Sequence, residues 1–264
     1  MLDFISYLKI DLLILKIIYY STPNHKYHSS YSSYREMKVL DDLIGRIHNN
    51  KKDIFYDSVK NGTQHFIKDL YEFFFLPQQN EGLDQLKENF ELLYDMLFVL
   101  INETTDDLEL TEVHTEFFVS ALPKLYGQLM LDAGSILEFD SQIKDFDEVY
   151  FLYPGFFAVY AYRISHQLWK QEVKTLPYLI SQYAGRATGI DIHPACIIGD
   201  SFFINHGTRI AIGRETIIGN NVKIYPGSAP RVSNIYCESE SHIMSLNIAH
   251  NTIVYSGSLI WEGM

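Results

Sequence analysis

Between Gly189 and Gly227 the aliphatic residues return every six positions, at Ile192, Ile198, Ile204 and Ile210, and after Thr216 again at Val222. A second row runs through Ile212, Ile218 and Ile224. Neither the period of 2 of a strand nor the 3.6 of a helix produces both rows, whereas a six-residue internal repeat is the mark of a stacked parallel β-helix. In such a coil each hexad builds one short face. Three faces, roughly eighteen residues, close one turn, and the aliphatic rows stack into a narrow core. Gly199-Asp200, Gly213-Arg214 and Gly219-Asn220-Asn221 fall between the rows, where corners need permissive backbone angles.

Two residues in this stretch do not fit a packing role. Asp191 and His206 are fifteen positions apart, slightly less than one turn, which predicts neighbouring coils about one strand spacing apart, roughly 4.8 Å. A carboxylate beside an imidazole is the orienter and general base that activates a hydroxyl. The alternative is an ordinary surface histidine at a coil corner.

The wording around these residues is specific. G-I-D-I-H-P from Gly189, F-F-I-N-H-G-T from Phe202 and I-G-N-N-V-K-I-Y from Ile218 follow Leu152-Tyr153-Pro154-Gly155-Phe156-Phe157-Ala158 and Ala161-Tyr162-Arg163-Ile164-Ser165-His166. In that order they resemble the serine O-acetyltransferase family of hexapeptide acyltransferases, strongly over residues 135–227 and more loosely over the helical part before. The resemblance implies an N-terminal helical domain that joins trimers together and a left-handed β-helix that forms each trimer. It implies acetyl transfer from acetyl-CoA to the L-serine hydroxyl in cysteine biosynthesis, with acetyl-CoA as co-substrate, no bound cofactor and no metal. His206 would be the general base and Asp191 its orienter. Asp140 would help hold the substrate amino acid, and Asn205 stands where the family uses an Asp on the substrate ammonium.

The sequence departs from the family at several points. Ser141 replaces the Pro that partners the Asp140 position, and Arg214 stands in the place of a Glu. Met244-Ser245-Leu246 stand where the family has an Arg-His-Pro segment, whose Arg pairs with the substrate carboxylate. The hexad order breaks over about 228–246 and returns at Ile248, Val254 and Ile260, after which the sequence stops at Met264. A truncated coil of this kind is expected to leave the acetyl-CoA groove incomplete, so no CoA-binding residues are assigned. Two other functions remain open: a catalytically impaired homologue acting as an oligomeric scaffold, and an acetyltransferase with another hydroxyl acceptor.

Composition narrows the classes further. Thirty-three acidic against twenty-one basic residues give a formal charge of −12, which argues against nucleic acid as a partner. Cys196 and Cys237 are too few for a disulfide framework and suit a reducing cytoplasm. No CxxC, HExxH, P-loop or GxGxxG occurs, so metal and nucleotide-phosphate chemistry lack support. The apolar opening stretch is broken by Asp3, Lys9, Asp11 and Lys16, which argues against a membrane span, and it lacks the marks of a signal peptide.

Read in order, the sequence predicts an α+β chain: an N-terminal extension over 1–34, a helical domain over 35–185 and the β-helix over 186–264. Amphipathic spacing predicts helices over 35–49, after a turn at Asn61-Gly62, over 83–100, and from the Thr104-Thr105 cap to about Met130. In the last of these Val113, Phe117, Phe118, Leu122, Leu125 and Leu129 are expected inward, and Pro123 should kink or divide the helix. A helix over 156–170, with Pro154 suited to its first turn, and one over 178–188 lead into the coil.

Overall fold

The computed structural model describes residues 41, 43, 44, 55–76, 82–105, 107–207, 209–230 and 246–260. The chain divides into two units, Met1–Ile54 and Phe55–Met264. In the first, Asp41, Leu43 and Ile44 are helical and exposed, and the extension expected over 1–34 lies outside the described residues.

The second unit opens with helices α1 (Phe55–Phe75), α2 (Leu83–Thr105), α3 (Leu108–Phe139), α4 (Phe146–Leu152), α5 (Pro154–Lys170) and α6 (Leu176–Thr188). The turn expected at Asn61-Gly62 is absent, because α1 runs straight through it. A Cβ at Gly62 would lie 3.0 Å from Leu100 Cδ2, so the glycine lets α1 pack closely on α2 rather than breaking a helix. Asp107 caps α3 by accepting the Leu110 N–H at 3.1 Å. Helix α3 then continues past Met130 and through Pro123 to Phe139. Pro123 lies on the exposed side, where the carbonyl that it leaves unbonded can meet water. The inward stripe is also rotated from the expected one. Phe118, Leu122, Leu125 and Leu129 are buried, but Val113 and Phe117 are 60% and 57% exposed. Thr111 and Thr115 take the inward places instead, each hydroxyl donating to the carbonyl four residues back.

Helix α5 is buried on nearly every side. One flank, with Phe156, Tyr160 and Ile164, joins the aromatic core of the helical layer. The other, with Ala158, Val159 and Tyr162, packs on the aliphatic interior of the strands. A helix apolar all round belongs between two layers, and here it ties them together.

Ten short strands follow: β1 (Ile190–Ile192), β2 (Ile197–Ile198), β3 (Phe203–Ile204), β4 (Ile210–Ile212), β5 (Thr216–Ile218), β6 (Lys223–Ile224), β7 (Ala229–Pro230), β8 (Leu246–Ile248), β9 (Ile253–Val254) and β10 (Leu259–Ile260). All pairings are parallel and fall into three series, β2-β5-β8, β3-β6-β9, and β1-β4 with β7-β10. Ala211 N–H donates to Ser228 O at 3.3 Å, which joins β4 to the residue just before β7. The chain visits the three ladders in rotation, and Ile192, Ile198 and Ile204 stack under Ile212, Ile218 and Ile224. The six-residue step therefore moves round the circuit. Ile248 and Val254 resume it on the other side of residues 231–245, which lie outside the described residues with Cys237. Corners stack through polar side chains: Asn220 Oδ1 accepts the Asp200 N–H at 3.0 Å, and Asn221 donates to Asn251 Oδ1 at 2.8 Å.

A helical region followed by parallel strands is thus the architecture of the second unit. Among the described residues no helix is long and apolar enough to cross a membrane.

Candidate active site

The first circuit is longer than three hexads. Ile190 pairs with Ile210, a rise of twenty positions, and the surplus falls at the corner between Ile204 and Ile212. That corner carries Asn205, His206 and Gly207. His206 adopts φ +46° and Gly207 φ +60°, and Gly207 N–H turns back to Asn205 O at 2.5 Å. A left-handed non-glycine residue costs about 1–2 kcal/mol, and such strain gathers at functional sites. The corner swings the imidazole outward, leaving its side chain 62% exposed.

Asp140 lies behind it. Its backbone N–H closes α3 on Ile136 O at 2.9 Å, and its Oδ1 accepts the Gln142 N–H at 3.0 Å. Oδ2 accepts the Tyr153 hydroxyl at 3.2 Å and lies 3.9 Å from His206 Nε2. That last distance exceeds a hydrogen bond and leaves a gap between a base and a carboxylate. Tyr153, between α4 and α5, is 3% exposed, with its ring 5.7 Å from the imidazole and 6.3 Å from Phe203. Burial, then the Asp140 charge, push its phenol well above the usual range, so it serves as a donor. Gly155 brings this turn against the strands: a Cβ there would fall 2.3 Å from Ile204 O.

Asn205 is half-buried, and its N–H continues the ladder to Ile224 O at 2.9 Å. Asp191 stands apart. It points outward from β1 between buried Ile190 and Ile192 and pairs in register with Ala211, not with His206. The expected placement on neighbouring coils does not hold: the two residues share one circuit, Asp191 on β1 and His206 at the corner after β3, because fifteen positions fall short of the twenty-residue rise. No hydrogen bond joins them among the described residues. Asp191 opens instead on a cleft of about 650 Å³ with Tyr178, Gln182, Arg186 and His193. His193 Nδ1 accepts the Ala195 N–H at 3.1 Å, which leaves Nε2 as the protonated nitrogen. Burial and the nearby Arg214 lower the His193 pKa, while Asp191 and Glu215 oppose them. Arg214 itself is engaged, its guanidinium 5.5 Å over the Trp169 ring.

Asp132 and Arg163 anchor the helices to this part of the coil, a pair the sequence reading did not single out. Arg163 Nη2 donates to Asp132 Oδ1 at 2.8 Å and to Gly199 O at 2.9 Å, and Asp132 Oδ1 also accepts the Phe202 N–H at 2.8 Å. Burial works to lower the Arg163 pKa, but the charge and hydrogen bonds of Asp132 outweigh it and hold the cation. Asp132 follows the helical stripe from Leu125 and Leu129, and a carboxylate on that stripe was the available sign. Cys196 is fully buried with its thiol pushed up to about 12, a core residue rather than a nucleophile. Among the described residues no group of three His, Cys, Asp or Glu could hold a metal.

The architecture around this site is a helical layer over parallel ladders joined by six-residue steps. No family model matches the chain. It is 39% identical over 102 residues to the serine acetyltransferase of Bacillus subtilis, covering 39% of this chain and 47% of that protein. It is 41% identical over 92 residues to the serine acetyltransferase of Helicobacter pylori, covering 35% and 54%. A plasmid serine acetyltransferase of Synechococcus elongatus shares 37% over 111 residues, covering 42% and 35%. The native serine acetyltransferase 1 of Entamoeba histolytica superposes with a TM-score of 0.62 at 21% identity, over 74% of this chain and 85% of that one, and shares the fold. Over the matched residues the chain is similar to serine acetyltransferases. It spans about a third to a half of the length of these curated relatives.

Proposed function

We propose that the chain is a serine O-acetyltransferase that moves acetyl from acetyl-CoA to the hydroxyl of L-serine. The observation that carries this reading is the exposed His206 facing a buried, doubly anchored carboxylate across a 3.9 Å gap. The names of the sequence relatives support it, as do the complexes of one structural neighbour with L-cysteine and of another with CoA. In this mechanism the acceptor hydroxyl gives its proton to His206, and its oxygen attacks the thioester carbonyl. The tetrahedral intermediate then collapses, the C–S bond breaks, and the imidazolium returns the proton to the CoA sulfur. A placed base of this kind contributes about 10²- to 10⁴-fold. Asp140 is suited to receive the acceptor's ammonium, since its Oδ2 sits beside the base where a vicinal amino alcohol presents both groups. Asn205 borders the same corner.

The ladders are read as a left-handed β-helix over 186–264 that assembles as a trimer, and the helical region over 35–185 as a joint between trimers. Asp191, exposed and not joined to His206 within one chain, suits a dyad completed by such assembly. The same reading puts the protein in the cytoplasm.

The test follows CoA thiol release from acetyl-CoA with and without L-serine, beside His206→Ala. Serine-dependent release that the substitution abolishes is expected. No release from either protein, with the fold intact by circular dichroism, sinks the reading. Asn205 favours one variant of it: a neutral side chain stands where the family resemblance puts a carboxylate, which suits an acceptor other than serine. Transfer to another hydroxyl acceptor that serine does not inhibit would select that variant.

A further inference from the structure

Tyr153 occupies the point where α4, α5 and the His206 corner meet, and its hydroxyl donates to Asp140 Oδ2, the oxygen nearest to His206 Nε2. The other oxygen of that carboxylate is tied to the Gln142 N–H. A carboxylate held at both oxygens cannot turn without breaking one bond, so the Tyr153 hydroxyl decides which edge of Asp140 faces the base. The ring of Tyr153 flanks the imidazole at 5.7 Å and is itself buried, whereas the imidazole is mostly exposed. Pro154 and Gly155 fix this placement, one by opening α5 and the other by allowing backbone contact with Ile204.

We propose that Tyr153 is a positioning residue of the His206 site, holding Asp140 Oδ2 toward the imidazole through its hydroxyl. This deepens the acetyl-transfer reading and rests on it. A packing role would need only the ring, and Phe would serve as well. The titratable groups that meet here are Asp140 from the loop after α3, Tyr153, His206 from the corner, and Tyr225 at the end of β6, whose charge acts on Tyr153.

The experiment compares Tyr153→Phe, Asp140→Asn and the double variant. In Tyr153→Phe, kcat/KM for the acceptor should fall about ten- to hundredfold, the range of one hydrogen bond to a charged group. The KM for acetyl-CoA should stay. In the Asp140→Asn background the same change should do nothing more, because the hydroxyl acts through Asp140. A second readout needs no turnover: the His206 ring resonances followed by NMR across pH. Tyr153→Phe should move their midpoint when Asp140 is present and leave it unmoved in Asp140→Asn. If that coupling appears while no acceptor reacts, the positioning role stands and the acetyl-transfer reading fails. Equal effects with and without Asp140, or no movement in either, overturn the proposal.

Discussion

At His206 the backbone works against its own side chain, since φ +46° suits glycine better than a residue with a Cβ. His206→Gly should therefore abolish acetyl transfer yet leave the fold unharmed or stabilise it by up to about 1 kcal/mol, as the strain is relieved and little packing is lost. Thermal unfolding of the variant checks this, and a clear drop in midpoint would count against the strain argument. Gly155 makes the opposite case. Its missing Cβ would fall 2.3 Å from Ile204 O, and a backbone carbonyl between a helix and a ladder cannot swing aside. Gly155→Ala should cost about 1–3 kcal/mol, a fall in thermal midpoint of several degrees, with activity reduced in the protein that remains folded.

Between elements, the decisive contacts are polar ones inside an apolar boundary. Arg163 on α5 binds Asp132 on α3 and the Gly199 carbonyl at a coil corner, so one guanidinium joins three elements. Removing one partner leaves a buried charge alone. Arg163→Met should destabilise by about 3–5 kcal/mol, and pairing it with Asp132→Leu should recover much of that loss, read by denaturant unfolding of both variants. His166 provides the pH dependence at this boundary. Its Nδ1 lies 2.8 Å from Pro194 O, and burial lowers its pKa below the ordinary 6.5, with the Pro194 carbonyl opposing. Below about 6.5 the unfolded chain takes up a proton that the folded chain resists. The stability from His166 is therefore complete above that value and is lost as pH falls through the folded one. The thermal midpoint should decline from about pH 7 to about pH 5, and His166→Gln should flatten that slope.

On the scale of the whole molecule, the isolated chain leaves apolar surface uncovered on both layers. Ile197 and Ile217, paired on the outer side of one ladder, are 53% and 39% exposed, and Leu108, Val113 and Phe117 line the outer side of α3. Strands of two or three residues enclose little interior, and exposed apolar patches of this kind mark surfaces suited to association. Under the proposed trimer, Ile217→Asp should give a smaller species in analytical ultracentrifugation and lower activity together. An unchanged sedimentation coefficient would count against that face as the interface.

What the sequence determined by itself was whatever repeats or is local. The six-residue rows name the buried Ile192, Ile198, Ile204, Ile212, Ile218 and Ile224 because a stacked coil needs an inward residue at each step. Helix α5 opens where Pro154 predicts, since a fixed φ and a missing N–H suit a first turn. His206 and Asp140 were named through motif resemblance, and the fold brings them within 3.9 Å. What only the tertiary structure decided was register and neighbourhood across long separations. The two extra residues at the His206 corner turn an eighteen-residue rung into one of twenty, which pairs Asp191 with Ala211 and moves it away from His206. Which side of α3 faces inward depended on where α5 lies, so Thr111 and Thr115 are buried and Phe117 is not. Tyr153 gained its partner only when α3 ended against the turn into α5, because a hydrogen bond between residues thirteen apart is set by packing and leaves no period in the sequence.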